Sequence, residues 1–146
     1  MKHLLFALVF LAACAQQPAR IAETLSGRPE ALFYNTTPGE VAAKVAEGCT
    51  TVGLLVIDMR DNSVTCENKM DGTDQMLANL AIGTKHSTPA RDLGRFTIFA
   101  VGANVRVQLY AWIETQTAYG QTRKLENNSN TDFNGGMKFL RYLGGK

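Results

Sequence analysis

The stretch Phe96-Thr97-Ile98-Phe99-Ala100-Val101, then Gly102-Ala103-Asn104, then Val105-Arg106-Val107-Gln108-Leu109-Tyr110-Ala111-Trp112-Ile113-Glu114-Thr115-Gln116-Thr117 decides the fold. β-Branched and aromatic residues dominate both arms, and turn-forming residues separate them. Such a pattern predicts two antiparallel strands joined by a bulged hairpin turn over 102–104. The downstream arm alternates. Val105, Val107, Leu109, Ala111 and Ile113 fall on one face, and Arg106, Gln108, Tyr110, Trp112, Glu114 and Gln116 on the other. Successive strand side chains point to opposite faces, so the apolar set lines a core and the amphipathic set faces outward.

Working outward, Thr37-Pro38-Gly39-Glu40 reads as a capping box with proline at the first helical position. Val41, Ala42, Val45 and Ala46 follow at helical spacing, and Gly48 is expected to close the helix. Val52 to Met59 and Val64 to Asn68 flank the turn residues Arg60-Asp61-Asn62-Ser63, which predicts another hairpin. Thr73 to Leu80 carries Met76, Leu77 and Leu80 at helical spacing, so another short helix is expected there. Residues 31–34 suit an extended entry segment, 121–125 a further strand, and 132–143 a last helix. Gly135-Gly136 inside that helix cost about 1 kcal/mol each relative to alanine, which marks either a weak element or a close packing contact. The sum is an α+β domain: an antiparallel sheet of four or five strands with two or three short helices mainly on one face.

The amino terminus specifies a compartment. Met1-Lys2-His3 is a basic tip, Leu4 to Leu11 an apolar run, and Leu11-Ala12-Ala13-Cys14 places small residues directly before a cysteine. The apolar run is far short of the roughly twenty residues that span a bilayer. Together these features resemble a bacterial lipoprotein signal peptide with its lipobox. The resemblance covers residues 1–14 alone. It implies removal of 1–13, acylation of Cys14, a lipidated tether over 14–30 and a single domain over 31–146. By likeness to enterobacterial sorting, Ala15 and Gln16 after the cysteine, without aspartate, favour the outer membrane, facing the periplasm.

Removing residues 1–13 takes away Lys2 and lowers the net charge from +2 to +1. Nucleic-acid binding needs a concentrated basic patch, so this near-neutral chain argues against it. Cys49 and Cys66 remain as a pair in an oxidising compartment, where a disulfide is favoured. With a tight turn at Asp61-Asn62, Cys66 falls opposite Ile57, and an extended chain would hold Cys49 some 25 Å away at about 3.3 Å per residue. A bond therefore requires Cys49 to Gly53 to double back, which Gly53 permits; two separate buried thiols are the other reading.

Catalytic patterns are absent. His86 is the one histidine left after signal removal, Asp58/Asp61 and Asp71/Asp74 read as turn and cap residues, and no thiol remains as a nucleophile. No cofactor, metal or catalytic residue is expected. The outward face Arg106, Gln108, Tyr110, Trp112 and Glu114 has the composition of an interface hot spot. The same residues also suit a sheet braced by cross-strand pairs, with Phe96 opposite Tyr110. The expected function is a small membrane-anchored envelope lipoprotein that binds without catalysing. Its partner would be an envelope protein or a cell-wall component, met through that face or the Asn-rich 125–131 loop. Alternatives are a carrier or sensor of a small apolar ligand held between sheet and helices, and a phage- or plasmid-borne surface-exclusion lipoprotein.

Overall fold

A computed structural model of the protein describes residues 17–146, so the signal-like segment and Cys14 lie outside the described residues. The elements run β1 (Glu30–Phe33), α1 (Pro38–Thr51), β2 (Leu55–Arg60), β3 (Ser63–Asn68), α2 (Gly72–Ile82), β4 (Arg91–Val101), β5 (Asn104–Gln116), β6 (Thr122–Glu126) and α3 (Asn130–Tyr142). All strand pairs are antiparallel, which is the α+β class expected. The sheet order is β1-β5-β4-β3-β2, with β6 also paired to β5. The strand count reaches six because both the entry segment and residues 122–126 find a partner. β5 is long enough to hold β4 along one edge and β1 then β6, end to end, along the other.

The β4–β5 hairpin is tighter than expected. Val101 pairs with Asn104, leaving Gly102 and Ala103 as a two-residue loop without a bulge. Gly102 has φ +61°, and glycine at the first of two central positions is the requirement of a type II′ turn. Removing one residue from the loop shifts the register by one, so Phe96 pairs with Leu109 and Arg95 with Tyr110. The expected Phe96–Tyr110 pair does not form. A one-residue slip moves a side chain to the other face, and Phe96 lies buried in the core, its ring 5.4 Å from that of Phe139.

The core fills the space between one sheet face and helices α1 and α3. Phe33, Val64, Cys66, Phe96, Ile98, Val105 and Val107 come from the sheet, and Val41, Val45 and Leu140 from the helices. β4 begins at Arg91, earlier than its apolar pattern suggests. Most of its first five residues are polar or glycine, yet Arg91 and Arg95 face outward and meet Glu67 and Thr65 of β3.

Helix α1 starts as expected: the Thr37 hydroxyl accepts from the Glu40 backbone N–H, and the Glu40 carboxylate accepts from the Thr37 N–H at 2.8 Å. These bonds hold the Glu40 carboxyl below the ordinary glutamate range, the Thr37 backbone bond foremost. Gly48 does not end the helix. Its missing side chain lets α3 approach, since a Cβ there would sit 2.5 Å from Leu143 Cδ2. The helix closes a few residues later. Gly53, at φ +85°, donates its N–H to the Thr50 carbonyl, and Leu54 donates to the Cys49 carbonyl. That pair of bonds is a Schellman motif. The chain thus doubles back, and Cys49, on a helix that lies over β2, β3 and β4, bonds to Cys66 with 6.4 Å between Cα atoms. β2 contributes a bulge between Val56 and Asp58, so Cys66 faces Val56 and not Ile57.

Two further segments depart from expectation. Part of the stretch read as tether is docked: Asn134 Nδ2 donates to the Ala19 carbonyl, the Ile21 N–H donates to Asn134 Oδ1, and the Arg20 guanidinium lies 4.4 Å from the centre of the Phe133 ring. Helix α2 forms and packs near β5 and β6, with the Asp71 carboxylate capping it by accepting from Thr73 and Asp74. Its apolar residues turn outward, however. Met76, Leu77 and Leu80 are 58%, 56% and 77% exposed, and only Ala78 is buried.

The two glycines of α3 predict opposite responses to alanine. At Gly136 a Cβ would meet Pro29 Cγ at 2.7 Å and Leu109 Cδ2 at 2.8 Å, whereas at Gly135 it meets nothing within 4 Å. Gly136→Ala is expected to lose about 1–3 kcal/mol through overpacking. Gly135→Ala is expected to gain about 1 kcal/mol of helix propensity. Urea unfolding of both variants checks the pair; equal effects would contradict this packing of α3 on β5.

Candidate functional site

A groove opens on the core side of the sheet, where the layer of helices is incomplete. Its floor is Gly94 of β4 with Leu109 and Ala111 of β5, and its walls are Leu54, Cys66, Phe96, Phe139, Gly135 and Gly136. The volume is about 280 Å³. It exists because small residues meet: Gly94 pairs directly with Ala111 across the strands, and Gly135 presents no side chain from the helix above. A glycine inside a strand often marks such a close approach.

One end of this apolar groove is polar. Asn68, at the end of β3, and Asp92, near the start of β4, are paired in register and both line it. Asn68 Nδ2 donates to Asp92 Oδ2 at 3.1 Å, and Asn127 Nδ2 donates to Asp92 Oδ1 at 3.4 Å. Burial pushes the Asp92 carboxyl above the ordinary aspartate range. The Asn68 bond opposes that shift, and the nearby charges of Asp132 and Asp74 add to it. Perturbed carboxyls in clefts mark functional sites more often than chance. Asp92 is the one titratable side chain among the described residues of the lining, since Cys66 is bonded. A half-buried carboxylate at the end of an apolar groove is an acceptor placed to meet a donor group on a ligand.

The outward-facing residues singled out from the sequence share one face, and around its two aromatics they form a packed lattice. Trp112 is 3% exposed. Its ring stacks on Tyr110 at 5.1 Å, and its indole N–H donates to Glu114 Oε2 at 2.7 Å. The Lys124 ammonium lies 4.9 Å from the Trp112 ring centre and the Arg95 guanidinium 5.6 Å, while Arg28 covers Tyr110 at 4.5 Å. Arg91 grips Glu67 through two bonds of 2.9 and 2.7 Å, holding the Glu67 carboxyl below its ordinary range. Gln108 is half-buried and Arg106 exposed. Cations from neighbouring segments, Arg28, Arg95 and Lys124, thus cover the two aromatics, while Arg106 of the face itself stays clear of them. His86 lies exposed in the loop after α2. Among the described residues, no group of three or more His, Cys, Asp or Glu is placed to hold a metal ion.

Asn68 and Asp92 escape a reading of the sequence because neither stands in a motif; only the register between β3 and β4 unites them. Gly135-Gly136 is the visible signal. Compared with known proteins, the chain matches no family model, no curated sequence and no solved structure.

The buried carboxyl sets a pH dependence. The folded protein holds the Asp92 proton more tightly than the unfolded chain does. Its contribution to stability therefore falls as pH rises from the ordinary aspartate range through the raised folded value. Asp92→Asn keeps an acceptor for Asn68 and removes the charge. In urea unfolding across pH, the variant is expected to be more stable than the parent at neutral pH, with the difference shrinking toward acid. A difference independent of pH would contradict this assignment.

Proposed function

We propose that the chain is a lipid-anchored, non-catalytic binding module of the bacterial envelope, and that its site is the groove between sheet and α3. The anchor is the acylated Cys14 of the lipobox-like segment Leu11–Cys14. The ligand is a small molecule with an apolar body and a cationic or hydroxyl head. One observation carries this reading: an apolar groove paved by Gly94, Ala111 and Gly135 ends on a half-buried carboxylate held by two amides.

The chemistry follows from that contrast. Apolar side chains give affinity in proportion to area removed from water, about 25 cal/mol per Å². The carboxylate supplies orientation, because a donor on the ligand restores the hydrogen bonding that burial takes from it. An ammonium head also relieves the repulsion between Asp92 and the charges of Asp74 and Asp132. An acidic ligand meets that repulsion in full. The outward face favours no competing reading, since its tryptophan is sealed.

Hexylamine and hexanoate form a matched pair of probes. Amide NMR titration of the full chain is expected to show hexylamine shifting the Gly94 and Gly135 signals while hexanoate shifts neither. Asp92→Asn is expected to weaken hexylamine roughly tenfold, the order of one charge-assisted hydrogen bond. Gly135→Leu fills the groove and abolishes the shifts without lowering Tm. Equal response to both probes, or unaltered binding in Gly135→Leu, would overturn the groove as the site.

A further inference from the structure

We infer that helix α2 is an additional membrane contact, its apolar face lying on the same bilayer surface that holds the lipid. The inference rests on the Cys14 anchor proposed above. Three observations lead to it. First, Met76, Leu77 and Leu80 stand at one side of α2 and remain exposed, although a soluble domain normally turns such a stripe inward. Next, the segment 69–85 balances its charges: Asp74 lies within α2 and Asp71 caps it, while the exposed cations Lys69 and Lys85 stand beyond its two ends. An exposed apolar stripe on a segment without net charge suits the apolar boundary of a bilayer, with the lysine stems reaching the headgroups from its margins.

Third, the leash is short, and a chain of contacts links its exit to α2. Among the described residues, the first tie of the amino-terminal segment to the domain is the Ala19 carbonyl, held by Asn134. Five residue steps separate Cys14 from Ala19, a reach of about 17 Å at full extension. Arg20 then bonds to the Asn130 side chain and the Asn128 carbonyl at the start of α3. Asp92 joins this corner to α2: it accepts from Asn127, senses the charges of both Asp132 and Asp74, and lies two residues from Ala90, whose carbonyl accepts from Gln75 of α2. The lipid therefore holds the α2 end of the domain close to the headgroups. Tethering at that distance turns a weak interfacial helix into an occupied contact, because the helix then binds intramolecularly. The groove, which has Asn68 and Asp92 at its polar end, would then open beside the membrane.

The test uses the full chain made in bacterial membranes and reconstituted into vesicles of phosphatidylethanolamine and phosphatidylglycerol with brominated acyl chains. Leu80→Trp places an indole on the exposed face, where the change leaves the core untouched. Phe99→Trp is the control, about 23 Å along β4 from Asp92 at 3.3 Å per residue. The expected result is that the indole at position 80 emits at shorter wavelength and loses most of its emission to bromine. Emission from Trp112 and from the Phe99→Trp control stays unchanged. If the intact mass shows acylated protein and the position 80 signal is unquenched, the docking is overturned and the anchor stands. A blue-shifted but unquenched signal means that protein covers the helix, and also overturns it. An intact mass without acyl chains overturns both.

Discussion

The structure depends on a two-residue turn. With Gly102 and Ala103 alone between the strands, β4 and β5 pair so that Arg95 meets Tyr110 and Phe96 meets Leu109. One residue more in the loop would carry one strand's side chains to the other face. Phe96 would leave the core, and Gly94 would no longer stand beside Ala111. The floor of the groove, the sealing of Trp112 and the seat of Phe139 against Phe96 all follow from this register.

Register also explains why the two faces of the sheet take different roles. On the outward face it sets Arg95 and Lys124 near Trp112, and Arg91 against Glu67 and Glu114, so charges and aromatics satisfy one another. Each cation–π contact is worth about 0.5–1 kcal/mol where exposed, and such a lattice gains little by admitting a partner. On the inward face the same register lines up small residues and leaves space. The Cys49–Cys66 bond ties α1 down over β3, and Cys66 with Leu54 forms one wall of that space. Helix α3 adds the other wall, where Gly48, Gly136 and the body of the sheet set its height.

Much of this fold is legible in the sequence where local chemistry is strong. The capping box at Thr37–Glu40, the alternation of 105–113 and the β2–β3 turn each carry their own physical signal. The disulfide is legible from the even pair Cys49 and Cys66 left beside the lipobox-like cysteine, and its geometry follows from Gly53. Three features are not local. The end of α1 falls beyond Gly48 because that glycine serves a packing contact and not a cap. The exposed stripe of α2 has the same periodicity as a buried one, since spacing alone does not say which way an apolar face turns. The start of β4 is polar, and only pairing with Glu67 and Glu114 on its neighbours makes it a strand. For the same reason the proposed site is hidden: Asn68 and Asp92 lie 24 residues apart and belong to no motif, while the conspicuous Trp112 is buried.

Because everything rests on the β4–β5 register, the most direct measurement is the pattern of cross-strand nuclear Overhauser effects in the hairpin. Backbone contacts between Arg95 and Tyr110 and between Phe96 and Leu109 are expected, with the Phe96 ring close to Phe139. Contacts between Phe96 and Tyr110, with the Phe96 ring outside the core, would contradict it.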